Sequence, residues 1–128
     1  MNPVALINVA LGGALGSLAR YIVGIYMGRW FGTAFPWGTL FINVSGSFLI
    51  GAFAEAFALR WDSAFSTRVF LVVGICGGYT TFSTFSLEIV TLIGRGEMLA
   101  AALYILASVI LSVAALYAAL HFMRFWLV

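Results

Sequence analysis

The chain has 128 residues, of which 64% are hydrophobic and 8% are charged, whereas in an average soluble domain about a quarter of the residues are charged. So short a chain has too few polar groups to cover a globule in water, and this composition excludes a soluble fold. Six arginines, no lysine and four acids give a net charge of +2, without the basic run typical of nucleic-acid binding. We therefore expect a single domain, residues 1–128, that lies in a membrane and binds no nucleic acid.

Four apolar stretches are long enough to cross a bilayer as helices, which takes about 20 residues each. They cover residues 3–28, 38–59, 67–93 and 98–123, and short connections containing glycine, proline or charged residues separate them. Tryptophans fall at the predicted ends of the spans, where membrane interfaces favour them, namely Trp30, Trp37, Trp61 and Trp126. The sequence therefore predicts an all-α, multi-pass integral membrane protein with four transmembrane helices.

The arginines hardly distinguish the two sides of the membrane. With four spans, both termini lie on one side, which carries Arg60, Arg68 and Arg124, while the other side carries Arg29 and Arg95. Orientation follows the bias of Arg and Lys in short loops, and this near balance leaves two alternatives open. Either the weak bias sets a single orientation, or the chain inserts both ways and two copies pair as an antiparallel dimer.

Two of the predicted helices carry polar side chains every four residues, a spacing that places them on one face. The second span carries Thr39, Asn43 and Ser47, and the fourth carries Tyr104, Ser108 and Ser112. An unpaired amide is costly in an apolar medium, so Asn43 must bond a neighbour or line a wet path. The two stripes indicate either a lined pathway or hydrogen bonds between helices.

Two charged residues fall inside the predicted spans. Arg20 either snorkels to the interface or attracts anions, because a charge near the bilayer centre costs roughly 2.5–3.5 kcal/mol on insertion scales. Glu88 either has a functional role or bonds a neighbouring helix. No nucleophile and base pair, phosphate-binding loop or paired carboxylate motif occurs in the sequence, so we expect no enzymatic activity.

The third span contains the strongest local anomaly, CGGYTTFSTFS at residues 76–86. Two glycines followed by two threonines make a poor helix, which predicts a break near the middle of the bilayer. Backbone carbonyls freed by a break suit a small hard cation, and the following N–H groups suit an anion. Phe82 and Phe85 come next on one face. Such residues commonly face lipid or core, but rings that line a hole can present their positive edges to an anion.

These features resemble the Fluc family of bacterial fluoride channels, also called CrcB proteins. The resemblance covers nearly the whole length. It rests on GTLFINVSGSF at residues 38–48, above all on GGYTTFSTFS at residues 77–86, and on Gly12, Gly13, Gly16, Arg20 and Tyr21 of the first span. It implies a passive channel in the bacterial inner membrane that lets cells expel fluoride, built as an antiparallel, dual-topology homodimer with two pores.

The resemblance also implies roles for individual residues. The ring edges of Phe82 and Phe85 would line the path of fluoride, and Asn43 would donate its amide beside them. The polar track along the pore wall would consist of Thr39, Tyr104, Ser108 and Ser112. Arg20 would lie near the aqueous vestibule. The backbone carbonyls of Gly77 and Thr80, two from each subunit, would hold a structural sodium ion (Na⁺) at the dimer centre.

Two other functions account for part of the sequence. A small multidrug-type exporter driven by protons is also a four-helix, dual-topology dimer. It needs a membrane-embedded carboxylate in helix 1, where this chain has no acid and carries Arg20, a charge that repels cationic substrates. A non-conducting structural subunit of a larger complex would explain the glycine-rich helix faces but not the two polar stripes. Flux measurements in liposomes separate the three hypotheses.

Overall fold

The structure, a computed structural model, describes residues 1–60 and 65–128. Four helices are long and apolar enough to cross a membrane, and they are Pro3–Phe31, Trp37–Leu59, Phe65–Gly94 and Met98–Leu127. Neither of the two described ranges contains a β-strand. The prediction of an all-α protein with four apolar spans is confirmed. Trp30, Trp37 and Trp126 are exposed near helix ends, while Trp61 lies outside the described residues.

The first two helices begin and end at residues that suit those positions. α1 (Pro3–Phe31) starts with proline, whose missing N–H is not needed in a first turn. The side chain of Asn2 accepts a hydrogen bond of 3.0 Å from the Val4 N–H. Gly32 ends α1 with a φ of 78°, which favours glycine. α2 (Trp37–Leu59) follows five residues later.

The third span consists of several helical pieces. It begins with α3 (Phe65–Arg68), continues as a π-helix (Val69–Cys76) and then as α4 (Gly77–Tyr79). Residues 80–82 are not helical, and Thr80 is extended with φ −80° and ψ 156°. The helix α5 (Ser83–Gly94) completes the span. We call residues 80–82 the interruption. The π-helix was not predicted, because its sequence VFLVVGIC suits an α-helix equally well.

The last span, α6 (Met98–Leu127), follows a tight turn. Gly96 has a φ of 78° and donates its N–H to the carbonyl of Ile93 at 2.9 Å. Glycine is favoured here because a residue with a side chain is strained at positive φ. With 30 residues, α6 is about 45 Å long and exceeds the roughly 30 Å hydrocarbon core of a bilayer. It therefore extends past the predicted end at residue 123.

Close backbone contacts join α1 to the third span. A Cβ atom built on Gly12 would lie 2.9 Å from the Cα atom of Gly74, and one built on Gly78 would lie 2.6 Å from the carbonyl oxygen of Gly13. Real Cβ atoms do not approach other atoms so closely, so these positions need glycine. Small residues serve the same purpose between other membrane helices. We call this contact the glycine seam.

The helices α2 and α6 pack together along their length. A Cβ atom on Gly51 would lie 2.6 Å from the carbonyl oxygen of Leu116, so the two backbones are close here as well. Near the end of both helices, the Arg124 guanidinium lies 2.7 Å from the carboxylate of Glu55, which is 7% exposed. Pairing with Arg124 compensates the charge that α2 buries.

A cluster of buried apolar residues lies among α2, α5 and α6. It consists of Leu40, Phe85, Leu92, Ala101 and Tyr104. Many large apolar side chains are instead exposed along the spans, among them Leu11, Leu18, Val90, Leu103 and Val113. This distribution suits a surface covered by lipid tails or by another chain rather than by water.

Candidate functional site

The interruption in the third span is held by a side chain of α2. The Asn43 Oδ1 atom accepts a hydrogen bond of 2.8 Å from the Thr81 N–H, and Asn43 Nδ2 donates one of 2.9 Å to the Thr81 carbonyl. The Asn43 amide thus satisfies both polar groups of a residue whose backbone has left the helix. The Thr81 N–H and carbonyl therefore both have a hydrogen-bond partner, in a region with little water to supply one.

The interruption also changes the partners of the neighbouring carbonyls. In a continuous α-helix, the carbonyls of Gly77 and Thr80 would accept from the N–H groups of Thr81 and Thr84. The Thr81 N–H donates to Asn43 instead, and the Thr84 N–H donates to the Thr81 hydroxyl at 3.2 Å. Within residues 1–60 and 65–128, the Gly77 and Thr80 carbonyls therefore lack their regular helical partners.

Arg20 reaches the same segment from α1. Its Nε atom donates a hydrogen bond of 3.1 Å to the carbonyl of Gly78, and the side chain is half-buried. The guanidinium retains further N–H donors after this contact. Arg20 therefore joins α1 to α4 at the glycine seam and carries a positive charge to this part of the span.

Glu88 joins two of the predicted polar residues. Its carboxylate accepts a hydrogen bond of 2.6 Å from the Thr39 hydroxyl and one of 2.9 Å from the Tyr104 hydroxyl. Tyr104 is fully buried, and the contact connects α2, α5 and α6 at one point. The alternative that Glu88 bonds neighbouring helices therefore holds, and both of its carboxylate oxygens have a donor.

Phe82 and Phe85 occupy different environments. Phe82 is 78% exposed and Phe85 is 7% exposed. Their ring centroids lie 5.4 Å apart with a tilt of 54°. Phe85 also contacts Tyr104 edge-on, with centroids 5.1 Å apart. Of the two rings, only Phe85 is fixed by the core of this chain, whereas Phe82 projects from it.

A cavity of about 540 Å³ brings most of the predicted site residues together. We call it the serine cavity, and its walls include Asn43, Ser47, Gly77, Thr80, Phe82, Phe85, Ser108 and Ser112. The Ser108 hydroxyl is buried and has no hydrogen-bond partner in the described part of the chain. Because a buried hydroxyl without a partner is costly, its position at this cavity favours a hydrogen-bonding ligand or water there.

A second cavity, also of about 540 Å³, is bordered by the interruption at Thr81. We call it the arginine cavity, and its walls include Arg20, Thr39, Thr81, Thr84, Glu88 and Arg95. Thr81 lines both cavities. The residue that Asn43 holds therefore borders both cavities.

The structure distributes the predicted residues over both cavities. Asn43, Phe82, Phe85, Ser108 and Ser112 meet in the serine cavity, together with Gly77 and Thr80. Arg20 and Thr39 line the arginine cavity, and Tyr104 lines neither but bonds Glu88 beside it.

Sequence reasoning missed two contacts of this site. The first is the Thr81 backbone as the partner of Asn43, and the second is Glu88 as the junction of Thr39 with Tyr104. The polarity of Asn43 indicated only that it needs a partner. That partner lies 38 residues further along the chain, where no local pattern could identify it.

No group of three or more His, Cys, Asp or Glu side chains that could hold a metal occurs in residues 1–60 or 65–128. The sodium site that the resemblance implies uses backbone oxygens instead of such side chains. The Gly77 and Thr80 carbonyls fit that requirement, because they lack their regular helical partners and their residues line one cavity.

Comparison with known proteins agrees with these features. Residues 7–120 match the family described as "CrcB-like protein, Camphor Resistance (CrcB)". A protein of Nitrobacter winogradskyi named "Fluoride-specific ion channel FluC" is 63% identical over 93% of this chain and 94% of its own length. "Fluoride-specific ion channel FluC 1" of Nitrobacter hamburgensis is 60% identical over the same shares. A FluC protein of Rhodospirillum centenum is 49% identical, again over 93% and 94%.

Four helices long and apolar enough to cross a membrane, in a chain whose relatives are named as ion channels, define a multi-pass membrane protein. The chain belongs to the CrcB family. Because the relatives are named as ion channels, the family is not one of enzymes.

Proposed function

We propose that this chain forms a fluoride-selective passive ion channel through which cytoplasmic fluoride leaves the cell. In this proposal the working unit is an antiparallel homodimer of dual topology with two pores, each built from both subunits. Membership of the CrcB family and relatives named as fluoride-specific channels support the choice of ion. The serine cavity supplies the groups that would bind the ion.

The observation that carries the proposal is the wall of the serine cavity. It combines a buried hydroxyl without a protein partner, Ser108, with two phenyl rings and the Asn43 amide. Fluoride is small and strongly hydrated, so a selective pore must replace its water with donors at close range. Hydroxyls, an amide N–H and the positive edges of phenyl rings are such groups.

The exposure of Phe82 supports a pore that is completed by a second copy. This ring is 78% exposed although it lies near the middle of the third span, and Gly77 is exposed close by. In a homodimer, these residues would meet the other subunit rather than lipid. The serine cavity would then be closed on that side and would become a path lined by protein.

The proposal includes a structural sodium ion at the dimer centre, held by the Gly77 and Thr80 carbonyls of both subunits. Unwound backbone carbonyls bind sodium in other membrane proteins with broken helices. Such an ion would supply a fixed positive charge between the subunits. The interruption supports this assignment, since the N–H groups of Thr81 and Thr84 bond elsewhere and leave the two carbonyls available.

Passive flow suffices for export. Fluoride enters a cell as the neutral weak acid and is trapped inside as the anion, so its gradient drives it outward through an open pore. Within the described residues, the embedded carboxylate of Glu88 accepts bonds from two hydroxyl donors, an arrangement that serves structure without requiring proton exchange.

The test is fluoride efflux from liposomes that contain only this protein. Vesicles loaded with potassium fluoride receive a potassium ionophore, and a fluoride electrode follows the release. We expect rapid release that needs no pH gradient, with little release from matched vesicles loaded with potassium chloride. Release no faster than from protein-free vesicles would refute the channel proposal, and release that requires a proton gradient would favour a coupled exporter.

A further inference from the structure

The Asn43 side chain occupies a position where it competes with the helix for a hydrogen bond. Its Oδ1 atom takes the Thr81 N–H, the donor that would otherwise extend α4 by bonding the Gly77 carbonyl. Asparagine side chains compete with backbone acceptors in this way wherever they reach the chain. Here the competing group comes from a different helix, α2, and lies 38 residues away in sequence.

We infer that Asn43 is a positioning residue whose amide keeps the third span open at Thr81 and thereby sets the places of Phe82 and of the Gly77 carbonyl. Only the purpose of the open form rests on the proposed function. The geometry itself follows from the two hydrogen bonds at Thr81, of 2.8 and 2.9 Å.

The number of polar groups on the amide supports this role. An asparagine side chain offers one oxygen acceptor and two N–H donors. Thr81 engages the oxygen and one of the N–H groups. A single N–H therefore remains for any ligand in the serine cavity, so most of the hydrogen-bonding capacity of Asn43 serves the backbone.

The consequence of losing Asn43 follows from the same geometry. Without the amide, the Thr81 N–H and carbonyl lose their partners at a depth where water is scarce, which is costly. The nearest remedy is to close the helical bond from the Thr81 N–H to the Gly77 carbonyl. That closure would occupy the Gly77 carbonyl and rotate the residues that follow, including Phe82.

A first measurement uses the unchanged protein in lipid nanodiscs, labelled with ¹³C at threonine carbonyls and ¹⁵N at asparagine side chains. We expect magnetisation transfer through the hydrogen bond between the Thr81 carbonyl and Asn43 Nδ2. Absence of that transfer in assigned, well-resolved spectra would overturn the inference. Because this measurement needs no substitution, it decides the matter even where a variant fails to fold.

A second measurement compares variants. In Asn43→Ala, the Thr81 amide resonance should shift, and the infrared band of a ¹³C-labelled Gly77 carbonyl should move to lower wavenumber as it gains a hydrogen bond. Asn43→Asp keeps an acceptor for the Thr81 N–H, so its Gly77 band should stay near the wild-type position. Signals in Asn43→Ala identical to those of the wild type would show that Asn43 does not hold the interruption.

Ser45→Ala provides the matched control. Ser45 lies on the same helix two residues away, and its hydroxyl bonds Tyr79 at 2.9 Å rather than the interruption. Its substitution should leave the Thr81 and Gly77 signals in place, and a shift as large as that of Asn43→Ala would count against a specific role for Asn43. Fluoride efflux of the wild type, measured on the same preparations, tests the proposed function separately, because it does not depend on these signals.

Discussion

Among single residues, the hydroxyls expected along the pore divide into two groups. Thr39 and Tyr104 donate to Glu88 and are thereby engaged within the protein. Ser108 has no partner in the described ranges, and Ser112 lines the same serine cavity. An engaged donor must give up a bond before it can serve an ion. If the chain conducts fluoride as proposed, we therefore expect Ser108 and Ser112 to contact the ion more readily than Thr39 and Tyr104.

The two phenylalanines give the sharpest prediction at this scale. Replacing Phe82 or Phe85 by Ile keeps apolar bulk but removes the ring quadrupole. If ring edges serve fluoride, each change should reduce efflux roughly tenfold or more, equivalent to about 1.4 kcal/mol. Dimer assembly should persist, since such swaps cost less than about 1.5 kcal/mol of stability. Electrode-measured efflux and size-exclusion chromatography of the same samples check both points.

Phe125 offers a control for this comparison. It is 80% exposed near the end of α6 and far along the chain from the serine cavity. Phe125→Ile should therefore leave efflux close to that of the wild type. Wild-type efflux in both Phe82→Ile and Phe85→Ile would show that these rings pack against lipid or core rather than serve the anion.

At the scale of helices, two adjacent glycines differ in what surrounds them. A Cβ atom on Gly78 would lie 2.6 Å from the Gly13 carbonyl oxygen, so any side chain there disrupts the glycine seam. The nearest atom to a Cβ on Gly77 is the Val72 carbonyl oxygen at 3.8 Å, which is ordinary contact. Within a single chain, Gly77 therefore has room for a side chain and Gly78 does not.

This difference makes Gly77→Val a probe of the dimer and its sodium site. We expect the variant to fold as a chain but to lose dimer assembly and efflux, because the valine would enter the space assigned to the second subunit and the ion. Gly78→Val should prevent the single chain from folding. Circular dichroism and cross-linking in the same detergent distinguish the two failures. A stable, conducting Gly77→Val dimer would contradict the sodium site.

Thr80→Ala is the companion change for the same site. The carbonyl assigned to sodium belongs to the backbone, so removal of the side chain should leave the dimer and its response to sodium largely intact. The lost side-chain bond is the one from the Thr80 hydroxyl to the Cys76 carbonyl, of 2.9 Å. One such bond contributes about 1 kcal/mol. Loss of sodium dependence in Thr80→Ala would assign the ligand to the hydroxyl instead.

The sequence predicts the elements better than it predicts their contacts. The four apolar runs identify the spans because crossing a bilayer demands length and hydrophobicity that few other folds require. The non-helical residues 80–82 lie within the run of glycines and threonines. The low helix propensity of that run can be read from its own residues, without knowledge of distant contacts. The π-helix and the contacts of Asn43 and Glu88 depend instead on elements distant in the chain. The spacing of polar and apolar residues in the sequence does not predict them.

At the scale of the whole molecule, most of the surface along the spans is apolar and the charges lie mainly toward the ends. Arg60 follows α2 and bonds the Leu127 carbonyl at the end of α6, where Arg124 pairs with Glu55. Arg29 lies in the last turn of α1, and Arg95 follows the last residue of α5. Arg60 and Arg124 thus lie together, as the sequence indicates, and the arginines outside the spans count three against two.

Dual topology is the prediction that follows from this balance, and altering it gives the test. Arg29→Gln changes the count from three against two to three against one, which should favour one orientation. The double change Arg60→Gln and Arg68→Gln reverses the excess and should favour the other. Reporters fused to the C-terminus and active on one side of the membrane should find both orientations in the wild type and mainly one in each variant.

Fluoride efflux completes the test, because an antiparallel dimer needs both orientations. Cells that express either biased variant alone should resist external fluoride poorly, and cells that express both together should regain resistance. A parallel dimer or a monomer makes the opposite prediction, since each variant alone would then assemble normally. Efficient fluoride resistance with a single orientation, verified by the reporters in the same cells, would exclude the antiparallel arrangement and the paired pores built on it.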